Sequence, residues 1–132
     1  MADPSPEELL GLNDRLLRSI AEADWSTYQE LCDPLLTAFE PESQGQLVEG
    51  MEFHKFYFDL GGVKGAHLTT MCAPRVRIMG DVAVIAYVRL NQRLGANREP
   101  VTTAMQETRV WQRQDGRWKH VHFHRSPLPR GE

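Results

Sequence analysis

The stretch MQETRVWQRQDGRWKHVHFHR, from Met105 to Arg125, reads as two strands joined at Asp115-Gly116, and how that turn closes decides which side chains face inward. Side chains alternate along a strand, so sliding one partner by a single residue reverses every face assignment. A two-residue loop sets Gln114 opposite Arg117 and Arg109 opposite His122, which mixes Trp111 with the histidines. A three-residue loop, Gln114-Asp115-Gly116 with the glycine left-handed as a bulge, sets Arg109 opposite Val121. The second register gathers Met105, Glu107, Arg109, Trp111, Val121, Phe123 and Arg125 on one face. That set is the more apolar and gives the sheet a consistent inside, so it is the register expected.

Working outward, strand alternation occupies four runs, at about 67–79, 82–94, 101–113 and 117–125, with a second hairpin turn at Gly80-Asp81. Before Gly65 the period is helical. Ser5-Pro6-Glu7-Glu8 combines an N-cap serine, a proline at the first helical position and a glutamate placed for a capping box. Leu9, Leu12, Leu16, Leu17 and Ile20 then form one apolar stripe, with Asn13, Asp14, Arg15 and Arg18 on the other side. Asp24 caps a second short helix through Trp25, Tyr28 and Leu31, which Asp33-Pro34 ends. Leu35 to Glu40 is a short strand and Pro41 to Glu49 a loop. Phe53, Phe56, Tyr57 and Leu60 define a third helix, stopped by Gly61-Gly62. Three helices followed by an antiparallel meander give an α+β domain with its helices on one face of a curved sheet.

The run VAVIAYV, residues 82–88, is apolar on both parities, and such a strand needs cover on both faces. The helices cover one. For the other, the alternatives are a second copy of the chain or a long loop folded over it. On the inner side the expected register points Arg109 and Arg125 toward the core near the open end of the sheet, and Arg89 shares the parity of Ile85 and Tyr87. Buried guanidinium groups need acceptors. Either an internal salt-bridge network through Glu107, Glu40 or Asp33 supplies them, or a watered cavity takes an anionic ligand, for which a planar fork of donors suits a carboxylate.

A chain of 132 residues, 41% hydrophobic and 25% charged, is one compact domain, which excludes a kinase or a two-domain dinucleotide enzyme. Its net charge of -3 and pI near 5.9 argue against nucleic acid as a partner. No apolar run approaches a membrane span, and the acidic, proline-bearing start is unlike a signal peptide, so a cytoplasmic protein without a membrane partner is expected. Cys32 and Cys72 lack metal spacing and read as reduced, packed thiols. His120, His122 and His124 share a strand face, a spacing that suits zinc, but the expected register puts them on the face of subunit contacts. No metal or cofactor is expected. His54 stands among Phe53, Phe56 and Tyr57 and either packs or reaches the pocket. Hydrolase, phosphate-loop and metalloprotease signatures are absent. For acid–base chemistry the base would be Glu107 or Asp33, yet arginines beside Glu107 lower its proton affinity, so no catalytic residue is assigned.

The segments Cys32-Asp33-Pro34, Thr37-Ala38-Phe39-Glu40-Pro41-Glu42, Leu47-Val48-Glu49-Gly50-Met51, Phe53-His54-Lys55-Phe56-Tyr57-Phe58, Ile85-Ala86-Tyr87-Val88-Arg89, Glu107-Thr108-Arg109-Val110-Trp111, Asp115-Gly116-Arg117-Trp118 and Val121-His122-Phe123-His124-Arg125-Ser126 together resemble the association, or hub, domain of calcium/calmodulin-dependent protein kinase II. The resemblance covers about residues 8–127. It implies the cone-shaped nuclear transport factor 2-like fold, also called SnoaL-like or cystatin-like, with a long N-terminal helix and two shorter helices on a curved antiparallel sheet. It also implies self-association, in which dimers join through their sheets and stack as rings of a dozen or so subunits that hold kinase domains together. A pocket for small carboxylates is implied at His54, Arg89, Arg109 and Arg125, to which Tyr87 and Glu107 are added from their strand positions.

Departures from the family pattern are a shorter segment from Asp59 to Ala66, Ala73-Pro74-Arg75 in place of Asn-Pro-His, and Gln106 where an acidic residue is common. The first two bear on subunit contacts and ring size. The expectation is a single domain over 5–127 with flexible tails at 1–4 and 128–132, either free-standing or excised from a longer chain, whose kinase or other client stays open. Its function is expected to be a non-catalytic homo-oligomeric hub with an arginine-lined carboxylate pocket. The alternatives are a small SnoaL-like cyclase, isomerase or dehydratase and a small-molecule binding module.

Overall fold

A computed structural model of the chain describes residues 3–128, so the expectation of flexible tails at 1–2 and 129–132 lies outside the described residues. Helix α1, Pro6–Glu22, starts where Ser5 caps it, the Ser5 hydroxyl accepting the Glu8 amide at 3.2 Å. Helix α2, Trp25–Leu31, is capped by Asp24. Strand β1, Cys32–Phe39, follows without a gap and leads through a 3-10 turn, Pro41–Ser43, to the two-residue strand β2, Val48–Glu49. Helix α3 is Glu52–Asp59. After it, Gly62 lies so close to the end of α1 that a Cβ there would sit 2.6 Å from the Ala21 carbonyl oxygen, which accepts the Val63 amide at 2.8 Å. The glycine pair therefore docks the chain onto α1 as well as ending α3.

The remaining strands are β3, His67–Met79, β4, Val82–Leu94, β5, Pro100–Gln114, and β6, Arg117–Pro127, and the sheet order is β2-β1-β6-β5-β4-β3. The last four form the expected meander. The sheet as a whole is mixed, because β1 runs parallel to β6. That corrects the all-antiparallel expectation: β1 reaches its neighbour across the whole domain and not through a hairpin, so nothing forces the two to run in opposite directions. The β1 register shifts between Cys32 and Thr37, where Pro34 has no amide to offer a ladder.

The β5–β6 turn also departs from the expected register. It is a two-residue turn, with Asp115 at φ 50° and Gly116 at φ 79°, and Gln114 faces Arg117. Both central residues are left-handed, the geometry whose twist matches the flanking strands. The extra residue sits further on. Trp111 faces His120 while Val110 faces His122, which leaves Val121 as a bulge. Past the bulge the alternation is restored, so Arg109 faces Phe123 instead of Val121, and Glu107 faces Arg125. The inward set therefore survives except for Val121, now the bulge, and His120 turns inside in its place and is fully buried, away from His122 and His124. The three histidines do not share a face.

One core fills the space between the helices and the inner sheet face: Leu9, Leu16 and Leu17 of α1, Tyr28 and Leu31 of α2, and Ile85, Trp111 and Phe123 of the sheet. Asn13, expected on the solvent side of α1, is fully buried instead. Its side chain carries hydrogen bonds that the sheet needs.

Candidate functional site

Asn13 joins helix to sheet in a buried polar chain. The Trp111 indole N–H donates to Asn13 Oδ1 at 3.1 Å, Asn13 Nδ2 donates to the Tyr87 hydroxyl at 3.0 Å, and that hydroxyl donates to Glu107 Oε1 at 2.6 Å. Arg109 Nε donates to both the Tyr87 oxygen at 3.0 Å and Glu107 Oε1 at 3.1 Å, while Arg89 Nη1 donates to Glu107 Oε2 at 3.4 Å. The tyrosine thus uses its one donor and both lone pairs. Burial works to raise the Glu107 carboxyl, but Arg109, Arg89 and the Tyr87 hydroxyl outweigh it and hold the pKa at about 2. A carboxylate held ionised in this way does not accept protons near neutral pH.

Arg109 is wholly engaged in the interior. Its Nη2 lies 3.0 Å from Glu107, its guanidinium stacks 4.4 Å over the Phe123 ring, and Nη1 donates to His120 Nε2 at 3.4 Å. A guanidinium has no acceptor, so His120 carries its proton on Nδ1, facing Cys32 Sγ at 3.6 Å. Burial first and Arg109 second keep His120 far below the ordinary histidine range. Burial likewise pushes the Cys32 thiol up to about 12, so it is no nucleophile.

Beside this chain opens a cavity of about 280 Å³ between α3, the turn after β1 and the inner sheet, with Tyr28, Phe58 and Phe123 among its apolar walls. Arg89, Arg109, Arg125 and His54 all line it, as do Glu40 and Glu42. Tyr87 and Glu107 do not line this cavity; they hold Arg89 and Arg109 in place. His54 Nε2 donates to Glu40 Oε2 at 2.6 Å, with both side chains buried, and Arg125 Nε and Nη2 reach Glu40 Oε1 at 3.4 and 3.3 Å. Burial opposes ionisation of Glu40, yet His54 and Arg125 prevail and keep its pKa below the usual carboxyl value. Arg125 Nη2 also donates to Glu42. Asp33 is absent from this group: it bonds Gln114 Nε2 at 2.7 Å and lies outside the cavity, which removes it as a candidate base there.

The internal salt-bridge network is therefore the alternative that the geometry realises for the arginines, with a cavity beside it. Glu107 and Glu40 form the internal network, while Arg89 Nε and His54 Nδ1 are buried without a partner among the described residues. Residue types and strand parity were enough to point to Arg89, Arg109 and Arg125. Glu42 had no such signal, because its role depends on a turn that brings a loop carboxylate back to the far end of β6. On the opposite sheet face, Ala86, Val88, Thr108, His122 and His124 line an open groove of about 600 Å³.

A curved sheet wrapped on a long helix, with a polar pocket at its open end, defines a class. The chain superposes on a nuclear transport factor 2-like superfamily protein from Salmonella enterica with a TM-score of 0.77 at 22% identity, covering 96% of this chain and 92% of that one, a likeness of fold alone. Within that class, residues 5–129 match the calcium/calmodulin dependent protein kinase II association domain, and the chain belongs to that family. The association domain of the Caenorhabditis elegans kinase superposes with a TM-score of 0.86 at 48% identity, covering 91% of this chain and 93% of that one. The delta subunit of calcium/calmodulin-dependent protein kinase type II from Oryctolagus cuniculus is 46% identical over 127 residues. That match takes in 93% of this chain and 24% of the kinase subunit, so the chain spans about a quarter of that relative's length.

Proposed function

We propose that this chain is a non-catalytic self-association domain that forms a homo-oligomer from dimers joined through their sheets and closed into a ring. The observation that carries the reading is β4. Ala83, Ile85 and Tyr87 are buried beneath the helices, while Val84, Ala86 and Val88, equally apolar, lie on the face that no element of the described chain covers. Hydrophobic burial is the dominant favourable term in such contacts, and a second copy brings a matching face. We place the protein in the cytoplasm, where the thiols of Cys32 and Cys72 remain reduced. Native mass spectrometry at micromolar chain concentration should give an assembly that is a multiple of two; a monomer at that concentration overturns the reading.

The cavity is read as a seat for a small carboxylate. Arg109 spends its donors inside the protein, so Arg89 and Arg125 are the arginines with donors to give, and a planar fork matches a carboxylate. Ionised Glu107 supports a binding role over proton abstraction. Acetate should raise the melting temperature in proportion to RT ln(1 + [L]/Kd) in the parent chain and not in Arg125→Ala. An equal rise in both removes the carboxylate seat.

A further inference from the structure

The turn Pro41–Ser43 brings two carboxylates, two residues apart, onto one guanidinium. They are not equivalent. Glu40 points inward with its side chain 5% exposed and is committed to His54 as well as Arg125. Glu42 stands at the mouth with its side chain 37% exposed, and among the described residues its only ion-pair partner is Arg125, itself 19% exposed. We propose that Glu42 is a built-in competitor for the anion seat: its carboxylate occupies the donors of Arg125 that a ligand carboxylate uses, and a ligand binds by displacing it. This inference rests on the reading of the cavity as a carboxylate site.

Three arginines and three glutamates make up the cavity and its support, so in the closed arrangement their charges cancel and these six groups do not by themselves attract an anion. One of the three carboxylates has to leave for a ligand to be held by charge. Glu107 cannot leave, because Tyr87, Arg89 and Arg109 all depend on it and it has no access to water. Glu40 cannot, because its departure strands the buried His54 N–H. Glu42 can swing into solvent at the small cost of a rim ion pair, and its departure exposes one unit of positive charge at Arg125. The turn therefore sets the affinity of the site from its rim, by holding or releasing Arg125.

The test is an acetate titration of the whole chain followed by NMR chemical shifts, in the parent protein, Glu42→Gln, Glu42→Ala and Arg125→Ala. Gln keeps the shape and removes the charge, and either Glu42 variant should lower the half-saturating concentration by about two- to fivefold, the range of an exposed ion pair. Binding in Glu42→Gln alone also supports the competitor. Parent binding that is lost in Arg125→Ala but unchanged or weakened in both Glu42 variants overturns it and leaves the carboxylate seat standing. Binding that survives unchanged in Arg125→Ala, or absence of binding in the parent and both Glu42 variants, overturns both.

Discussion

Asn13 and Arg18 are both polar residues of α1, yet one sits at full burial and the other on the surface. Asn13 accepts from Trp111 and donates to Tyr87, so Asn13→Ala strands a buried indole N–H and removes one of the three partners that saturate the tyrosine hydroxyl. The expected loss is about 2–3 kcal/mol in urea unfolding at fixed chain concentration, against about 0.5 kcal/mol or less for Arg18→Ala. Equal effects would show that the buried chain does not hold helix to sheet. Helical periodicity could not separate these residues, because a stripe of leucines predicts which side is apolar but not that an amide within reach of it has two partners waiting across the core.

Acid should dismantle the same interior in a definite order. His120 is held neutral in the folded protein and protonates readily once unfolded, so the unfolded state binds more protons below about pH 6.5 and stability falls as pH drops from there. Glu107, held at about 2 against an ordinary 4.5, contributes stability that is complete above pH 4.5 and is lost as pH falls through 2. That depression corresponds to on the order of 3 kcal/mol. Urea midpoints between pH 8 and pH 3 should decline in two stages, and a flat profile would contradict both assignments. Glu107→Gln should shrink the lower stage to the part that Glu40 contributes, while costing about 3–5 kcal/mol at neutral pH, because Arg109 is left buried with its charge uncompensated.

At the scale of the element, the ends of the four long strands and their turn residues were readable, and residue types with strand parity put Glu107, Arg109 and Arg125 inside. Register was not. The Asp115-Gly116 pair is compatible with either loop, and the bulge that restores alternation at Val121 leaves no local signature, since it exists only because Phe123 must face Arg109 in the core. Inserting one alanine after Val121, which adds a second unpaired residue, should therefore turn Phe123 and Arg125 outward and abolish the cooperative melting transition seen by circular dichroism, whereas deleting Val121 straightens the ladder and keeps Phe123 opposite Arg109. Gly116→Ala, at φ 79°, should cost only about 1 kcal/mol and keep the fold. If the alanine insertion melts like the Gly116 variant, the bulge is not what sets the inward face.

At the scale of the whole molecule, the two faces of the sheet carry separable tasks. Val84→Lys places a charge on the uncovered face, away from the cavity and the buried chain, and should shift the native mass to smaller species while the circular dichroism spectrum is retained. Arg125→Ala should leave the mass unchanged. If Val84→Lys assembles like the parent, the outer face is not the contact between subunits.

The amino-acid sequence by itself determined the order of the three helices and the four long strands, the inward parity of the arginines and the excess of apolar surface on β4, because periodicity and composition are local properties that a strand or helix carries along its own length; the start of β1 at Cys32 and the short strand β2 within the expected loop were not legible there. Tertiary structure alone decided that Asn13 is an interior residue, that His120 parts from His122 and His124, and that Glu40 and Glu42 meet Arg125 at the far end of the chain. Those outcomes depend on which groups remain unpaired once the sheet has closed over α1. Hydrogen-bond and charge satisfaction is settled between segments some 70 to 100 residues apart, such as Asn13 with Tyr87 and with Trp111.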